Sequence, residues 1–123
     1  MASRDIQLYR NQGMSATLTS APISCRNAQR VSFQNHYSSA TPSGNFTYQV
    51  SNDPNAGRSP STAQWTTVTP STTHGAQPAG SAAGTFAVCF TDNFLFIRQV
   101  WTRVAGGAGD LLNTWVHVDA DGN

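Results

Sequence analysis

Side chains able to do chemistry are few in this sequence and widely spaced. Its three histidines are His36, His74 and His117, and no two of them share a motif. A catalytic centre needs a nucleophile, a base or a metal ligand held within mutual reach. His36 ends one predicted strand, His74 falls in a long polar segment, and His117 lies in another strand. We therefore interpret all three as strand or surface residues.

Aspartate supplies all six acidic side chains. Glycoside hydrolysis by paired carboxylates needs two acids on facing elements, but five of the six lie in turns or near the termini, and Asp110 closes a glycine-rich turn. Residues 119–123, Asp-Ala-Asp-Gly-Asn, are similar to the start of a calcium loop without its later acidic ligand. We expect no catalytic, cofactor or metal site, and so no enzyme. A depolymerase using Asp53 or Asp92 is a minor alternative.

The two cysteines, Cys25 and Cys89, could meet across a sandwich of sheets. Neither has a Cys or His neighbour at metal-ligand spacing. In a protein made in the cytoplasm, buried thiols that act as small apolar side chains are the favoured interpretation. The sequence leaves open whether the two are bonded.

Three tryptophans, Trp65, Trp101 and Trp115, could form a sugar-stacking platform. Tryptophans spread over three predicted strands are more typical of a core or an interface. A glycan-binding module would instead expose an aromatic side chain in a groove, and Trp65, Tyr37 and Trp101 are the candidates. The sequence leaves these alternatives open.

Composition excludes several classes of partner. The 123 residues include seven Arg, no Lys and no Glu, and the net charge is +1. Nucleic acids and anionic membranes bind a concentrated basic face, so we expect neither as a partner. No run approaches the roughly 18 apolar residues that span a bilayer, and the first residues lack a signal-peptide layout. We expect a soluble protein made in the cytoplasm.

Period-two alternation predicts an all-β fold. Phe46, Tyr48 and Val50 alternate with polar residues, which is typical of a half-buried strand. Similar short runs, separated by turn formers, suggest seven or eight strands and no helix longer than about a turn. This pattern is typical of a single-domain antiparallel β-sandwich, jelly-roll-like, whose strand order the sequence does not settle.

The organising stretch is Phe94 to Val118, in which two apolar runs flank Ala-Gly-Gly-Ala-Gly-Asp at 105–110. Three glycines can take positive φ and reverse the chain, so we predict a long antiparallel hairpin. Upstream, Pro22 suggests two short strands or one bent strand between Ser15 and Cys25. Pro70 to Gly84 is predicted to be irregular, either as a connection between sheets or as a contact loop.

Three segments are predicted. Residues 1–14 form an extended N-terminal arm or an edge strand, 15–118 the β-sandwich domain, and 119–123 a polar tail. The first segment mixes apolar and charged residues outside the main sandwich. We predict that it contributes an interface with a partner protein or a neighbouring subunit through Ile6, Leu8, Tyr9 and Arg10.

Several short motifs resemble a known pattern. They are Val50-Ser51-Asn52-Asp53, Trp65-Thr66, Phe96-Ile97-Arg98-Gln99-Val100-Trp101-Thr102-Arg103, the glycine-rich turn, and Leu111-Leu112-Asn113. Over residues 46 to 118 this combination resembles small β-sandwich structural proteins of tailed bacteriophages, which carry a "V-S-N-D" strand, a "W-T" strand and "Y-V-R-x-x-Y-T-R". Ala-Gly-Gly-Ala-Gly-Asp replaces the usual Ser/Thr-rich turn, and residues 1–14 fall outside the resemblance.

The resemblance implies a virion component, a head decoration or cement protein on the capsid exterior. It would bind the major capsid protein across neighbouring subunits and stabilise the shell. The resemblance thus implies that the predicted interface is a capsid or subunit interface formed by Ile6, Leu8, Tyr9 and Arg10. A homo-oligomer, dimer or trimer, would match a capsid symmetry axis, and attachment at several points would strengthen binding. No small-molecule ligand is expected. The alternative is a tail or fibre protein, or a surface glycan-binding (receptor-binding) module.

Overall fold

The computed structural model describes residues 3–38, 43–75, 84–105 and 109–120, and their only regular structure is β-strand. None of these ranges contains a helix long and apolar enough to cross a membrane. The strands are β1 (Arg4–Gly13), β2 (Leu18–Thr19), β3 (Ile23–Ser24), β4 (Ala28–Tyr37), β5 (Ser43–Ser51), β6 (Thr66–Val68), β7 (Thr72–Gly75), β8 (Gly84–Phe90), β9 (Phe96–Ala105) and β10 (Leu111–Ala120).

The strands form two antiparallel sheets. Sheet A has the order β1-β10-β4-β8-β7, and sheet B has the order β2-β9-β5-β6, with β3 also paired to β9. Inward side chains of both sheets form one apolar core. The prediction of an all-β, single-domain antiparallel β-sandwich is therefore confirmed. Pro22 lies between β2 and β3, two short strands that pair in succession with β9, as the first of the two alternatives for this stretch predicted.

Aromatic side chains join the two sheets in the core. Phe33 of sheet A packs against Tyr48 of sheet B with ring centroids 5.0 Å apart, and Phe46 of sheet B packs against Phe86 of sheet A at 5.1 Å. All four side chains are buried, as the alternation in β5 predicted for Phe46 and Tyr48. Burying a side chain of this size contributes roughly 1.5–3 kcal/mol, so these pairs are major sources of stability.

A polar cluster lies at the centre of this core. Asn35 and Gln99 exchange hydrogen bonds across the sandwich: Asn35 Nδ2 donates to Gln99 Oε1 at 2.8 Å, and Gln99 Nε2 donates to Asn35 Oδ1 at 3.0 Å. Thr114 Oγ1 donates to Asn35 Oδ1 at 2.6 Å, and the Tyr48 hydroxyl donates to Gln99 Oε1 at 2.8 Å. Because these groups satisfy one another, their burial is compatible with a stable core.

The predicted hairpin of residues 94 to 118 is wrong. β9 pairs with β5 on one side and with β2 and β3 on the other, whereas β10 pairs with β1 and β4. Both edges of each strand are occupied, so the connection crosses from sheet B to sheet A. Within that connection, Gly109 has a φ of +80°, which agrees with the glycine-dependent reversal, while residues 106–108 lie outside the described residues.

Residues 4–13 form an edge strand along β10, which is one of the two alternatives predicted for residues 1–14. The register runs from Arg4 opposite Val118 to Gly13 opposite Leu111, with two irregularities. The first leaves Leu8 without its own partner on β10, so that both Leu8 and Tyr9 pack against the core. Burial of this apolar surface explains why the segment stays on the sheet.

The segment predicted to be irregular, Pro70 to Gly84, contains a strand that the sequence did not reveal. β7 pairs with β8 through Thr72 to Gly75, and all four residues are exposed. Without buried apolar residues, no alternation marked this strand; backbone pairing alone forms it. Residues 76–83 lie outside the described residues. In the predicted tail, Asp119 and Ala120 belong to β10, and 121–123 lie outside the described residues.

Candidate binding surface on sheet A

The outer edge of β1 is a candidate docking edge. Among the described strands at sheet edges, β1 has 10 residues, whereas β7 has 4, β6 has 3 and β2 has 2. β1 pairs with β10 only, so its other side presents backbone groups that no described strand bonds. Such an edge can accept an extended segment of another chain as an added strand.

The four predicted contact residues occupy different environments on β1. Ile6, Leu8 and Tyr9 are half-buried and pack against the core, and burial raises the pKa of Tyr9. Arg10 is exposed. The three apolar side chains therefore hold β1 to the domain, and Arg10 is the member of the set best placed to meet a partner.

Next to β1, the outer face of sheet A carries a groove of about 430 Å³ beside Trp115. Gln7, Trp115, Gln34 and Ala87 stand opposite one another on β1, β10, β4 and β8. The indole is 43% exposed, although large apolar side chains are usually covered. Ala87 follows Gln34 in this row. Because its side chain is small, it leaves the space that forms the groove, and the Trp115 indole lines the same space.

A second cross-strand row fixes the polar side of the groove. Asp5, His117 and Ser32 stand opposite one another on β1, β10 and β4. Asp5 Oδ1 lies 2.6 Å from His117 Nδ1, an arrangement that orients the imidazole and turns Nε2 away from the carboxylate. Gln34 Nε2 donates to Thr85 Oγ1, which holds the Gln34 amide in place.

A smaller depression of about 300 Å³ continues this face and shares Ser32 and His117 with the groove. It is bounded by Arg30 and Asp119, whose side chains form an ion pair at 2.9 Å. The hydrogen bond from Arg30 is the main reason that the pKa of Asp119 lies below its ordinary value. Asp119, considered above as the start of a calcium loop, thus pairs with Arg30.

The other candidate aromatics are not available for stacking in this way. Trp101 is fully buried and donates its indole N–H to the backbone oxygen of Met14 at 3.2 Å. Tyr37 is also buried. Trp65 is partly covered by Arg98, whose guanidinium carbon lies 4.2 Å from the ring centroid. Trp115 is therefore the exposed platform. The alternation of β10 indicated that Trp115 is exposed, because Leu112 and Val116 face inward and the odd-numbered residues of this strand face outward.

Residues of the recurring motifs hold the long turn between β5 and β6. Ser51 Oγ donates to the Gln64 oxygen at 2.6 Å, and Asn52 Oδ1 accepts from the Leu95 amide at 2.9 Å. Asp53 accepts from the amides of Asn55 and Gln64. These side chains build the turn that carries Trp65 to Arg98. Ser51, Asn52 and Asp53 therefore have a structural role in the loop that follows β5.

The described residues contain no cluster of titratable side chains suited to a metal ion. Within the part of the chain that the structure describes, no three His, Cys or Asp residues are grouped so as to hold a metal ion. Cys25 and Cys89 are both free thiols; Cys25 is buried and Cys89 half-buried on sheet A. Burial raises the pKa of Cys25 to about 12. His36 and His74 are exposed on β4 and β7.

Comparison with known proteins extends the fold result. No family model matches the chain, and no curated protein matches its sequence. The chain is similar to the SPBc2 prophage-derived protein YomS, with a TM-score of 0.58 and 10% identity over 97% of this chain and 96% of that one. At this identity the similarity establishes a shared fold.

Two further structures are more distant. The K3 cleaved adhesin domain of Lys-gingipain from Porphyromonas gingivalis W83 matches with a TM-score of 0.43 and 13% identity, over 94% of this chain and 73% of that one. Chitosan-binding module 1 of a Paenibacillus sp. IK-5 chitosanase/glucanase matches with a TM-score of 0.41 and 16% identity, over 95% and 92%.

Proposed function

We propose that this protein is a virion structural protein of a tailed bacteriophage that decorates the capsid. It binds the outside of the head across neighbouring major capsid subunits and stabilises the shell. The observation that carries the proposal is the long outer edge of β1, which can accept a strand from a capsid subunit. The sequence motifs and the fold shared with a prophage-derived protein support a phage origin.

The proposed attachment combines backbone pairing with side-chain contacts. An added strand on β1 supplies hydrogen bonds without sequence specificity, and exposed Arg10 supplies a charge that a complementary acidic patch recognises. Assembly of the protein as a dimer or trimer on a capsid symmetry axis multiplies these contacts, because each docked copy raises the effective concentration of the next.

Co-sedimentation with capsids that lack the protein tests this function. We expect binding that saturates at a simple multiple of the capsid lattice. Arg10→Glu should weaken binding about tenfold or more, because it reverses the charge beside the docking edge. The matched control is Arg58→Glu, an equally exposed charge reversal in the turn after β5. Folded protein that does not pellet with capsids, or equal effects of both variants, would refute the proposal.

A further inference from the structure

We infer that the Trp115 groove is a binding site for a neutral oligosaccharide. This site lies beside the β1 edge and is independent of capsid attachment. It also departs from the sequence-based expectation of no small-molecule ligand. The inference rests on the exposed indole, on the polar side chains around it, and on the pairing of the nearby charges.

The indole provides the apolar surface that a sugar ring needs. Pyranose rings present C–H groups on their faces and hydroxyls around their rims, so they stack on a flat aromatic side chain that has polar neighbours. Trp115 is 43% exposed, with Gln7 on one neighbouring strand and Gln34 on the other. The groove volume of about 430 Å³ lies within the range of small-ligand sites.

The surrounding polar groups are held in fixed positions. Thr85 takes one hydrogen bond from the Gln34 amide, and Asp5 orients the ring of His117. Side chains fixed in this way lose little freedom when a ligand binds, which favours recognition of hydroxyls. Ser32 and His117 line both depressions of this face, so the second one offers room for a further sugar unit.

The charged side chains around the groove favour a neutral ligand over an anionic one. Asp5 pairs with His117, and Arg30 pairs with Asp119, so the charged side chains along the groove face one another. Because Arg30 is already paired with Asp119, neither depression offers a free guanidinium to a phosphate, a uronate or a sulfate. A protein partner is also disfavoured, because charged groups are depleted from the cores of protein interfaces and here they border the indole.

Fluorescence titration tests the inference, because Trp115 is the tryptophan that lines the groove, whereas Trp101 is buried and Trp65 lies elsewhere, partly covered by Arg98. The probes are hexasaccharides of glucose, mannose, galactose and N-acetylglucosamine, with hexagalacturonate as the charged comparison. We expect a saturable change in emission with at least one neutral probe and little with the uronate. Trp115→Ala should weaken binding about tenfold or more, because the stacking surface is lost. This variant has no indole in the groove to report binding, so its affinity is compared with that of the parent by isothermal titration calorimetry.

Two further variants separate loss of the site from loss of the fold. Ala87→Arg fills the groove and keeps the indole, so it should also abolish binding. Leu111→Ala removes another exposed apolar side chain of β10 that does not line the groove, and it should bind normally. No response to any neutral probe, or an equal response in Trp115→Ala, would overturn the inference. Capsid binding lost in Trp115→Ala without any sugar response would assign the groove to the capsid contact instead.

Discussion

The buried amides of Asn35 and Gln99 form hydrogen bonds that join the two sheets of the sandwich. Each amide donates to the other, and the pair lies on opposite sheets. Strand alternation alone places both residues on the inward side, in phase with Phe33 and Ile97. Alternation does not reveal that they meet, because the meeting depends on how the two sheets are aligned.

We predict that Gln99→Leu lowers the free energy of unfolding by about 3 kcal/mol. Leucine fits the apolar surroundings but removes the acceptor for the Tyr48 hydroxyl and the two hydrogen bonds that Asn35 exchanges with Gln99, and the loss of buried hydrogen bonds is costly. Urea denaturation measures the change. Thr102→Val, at an exposed site on the same strand, should alter the free energy by less than about 0.5 kcal/mol. Equal stability of Gln99→Leu and the parent would contradict a structural role for the cluster.

The two thiols should differ in reactivity. Because burial raises the pKa of Cys25 to about 12, little thiolate forms there at pH 8, and reagents cannot reach the sulfur. Cys89 is half-buried on the outer face of sheet A. We expect a disulfide reagent such as DTNB to titrate one thiol in the folded protein and two in denaturant. Cys89→Ser should abolish the reaction of the folded protein with DTNB. If folded Cys25→Ser protein no longer reacts instead, Cys25 and not Cys89 is the reactive thiol.

At the scale of elements, alternation identifies which side of a strand faces the core but not which sheet the strand joins. β4, β5 and β8 were predictable for this reason, since each combines buried apolar residues with polar ones. β9 and β10 show the same pattern on either side of a glycine-rich turn. A hairpin and a crossover between sheets both satisfy that pattern, and pairing with distant strands decides between them.

The N-terminal strand also has an energetic role that its sequence only suggested. Deleting residues 1–13 removes half-buried Ile6, Leu8 and Tyr9 and uncovers β10. We predict a loss of roughly 3–5 kcal/mol in the free energy of unfolding, a large fraction of the stability of a small domain. Urea denaturation of the truncated chain measures it, with Gln12→Ala as the near-neutral control on the same strand.

The predicted loss of stability on deleting residues 1–13 bears on tests of the docking edge. If the truncated chain kept the stability of the parent, β1 would be a separable arm, and truncation would be a clean test of capsid binding. If it unfolds more easily, as we expect, loss of binding after truncation would not distinguish a contact from a fold defect. Surface substitutions such as Arg10→Glu avoid this ambiguity.

For the whole molecule, composition and alternation together predicted the β-sandwich. Lysine and glutamate, which favour exposed helices, are absent, and short alternating runs recur along the chain. The candidate groove could not be predicted, because it combines side chains from four strands that are distant in the sequence. The capsid partner, the oligomeric state and the location on the virion stay predictions.

The placement of β10 between β1 and β4 has a consequence for synthesis of the protein. β10 leaves the ribosome after the other described strands, yet it is the central connection between β1 and the rest of sheet A. Until it emerges, β1 has no partner, and one edge of β4 is exposed. The nascent chain therefore cannot close this sheet before β10 has emerged. Folding must wait for pairing between distant segments, which is intrinsically slow and leaves β-edges open to neighbouring chains.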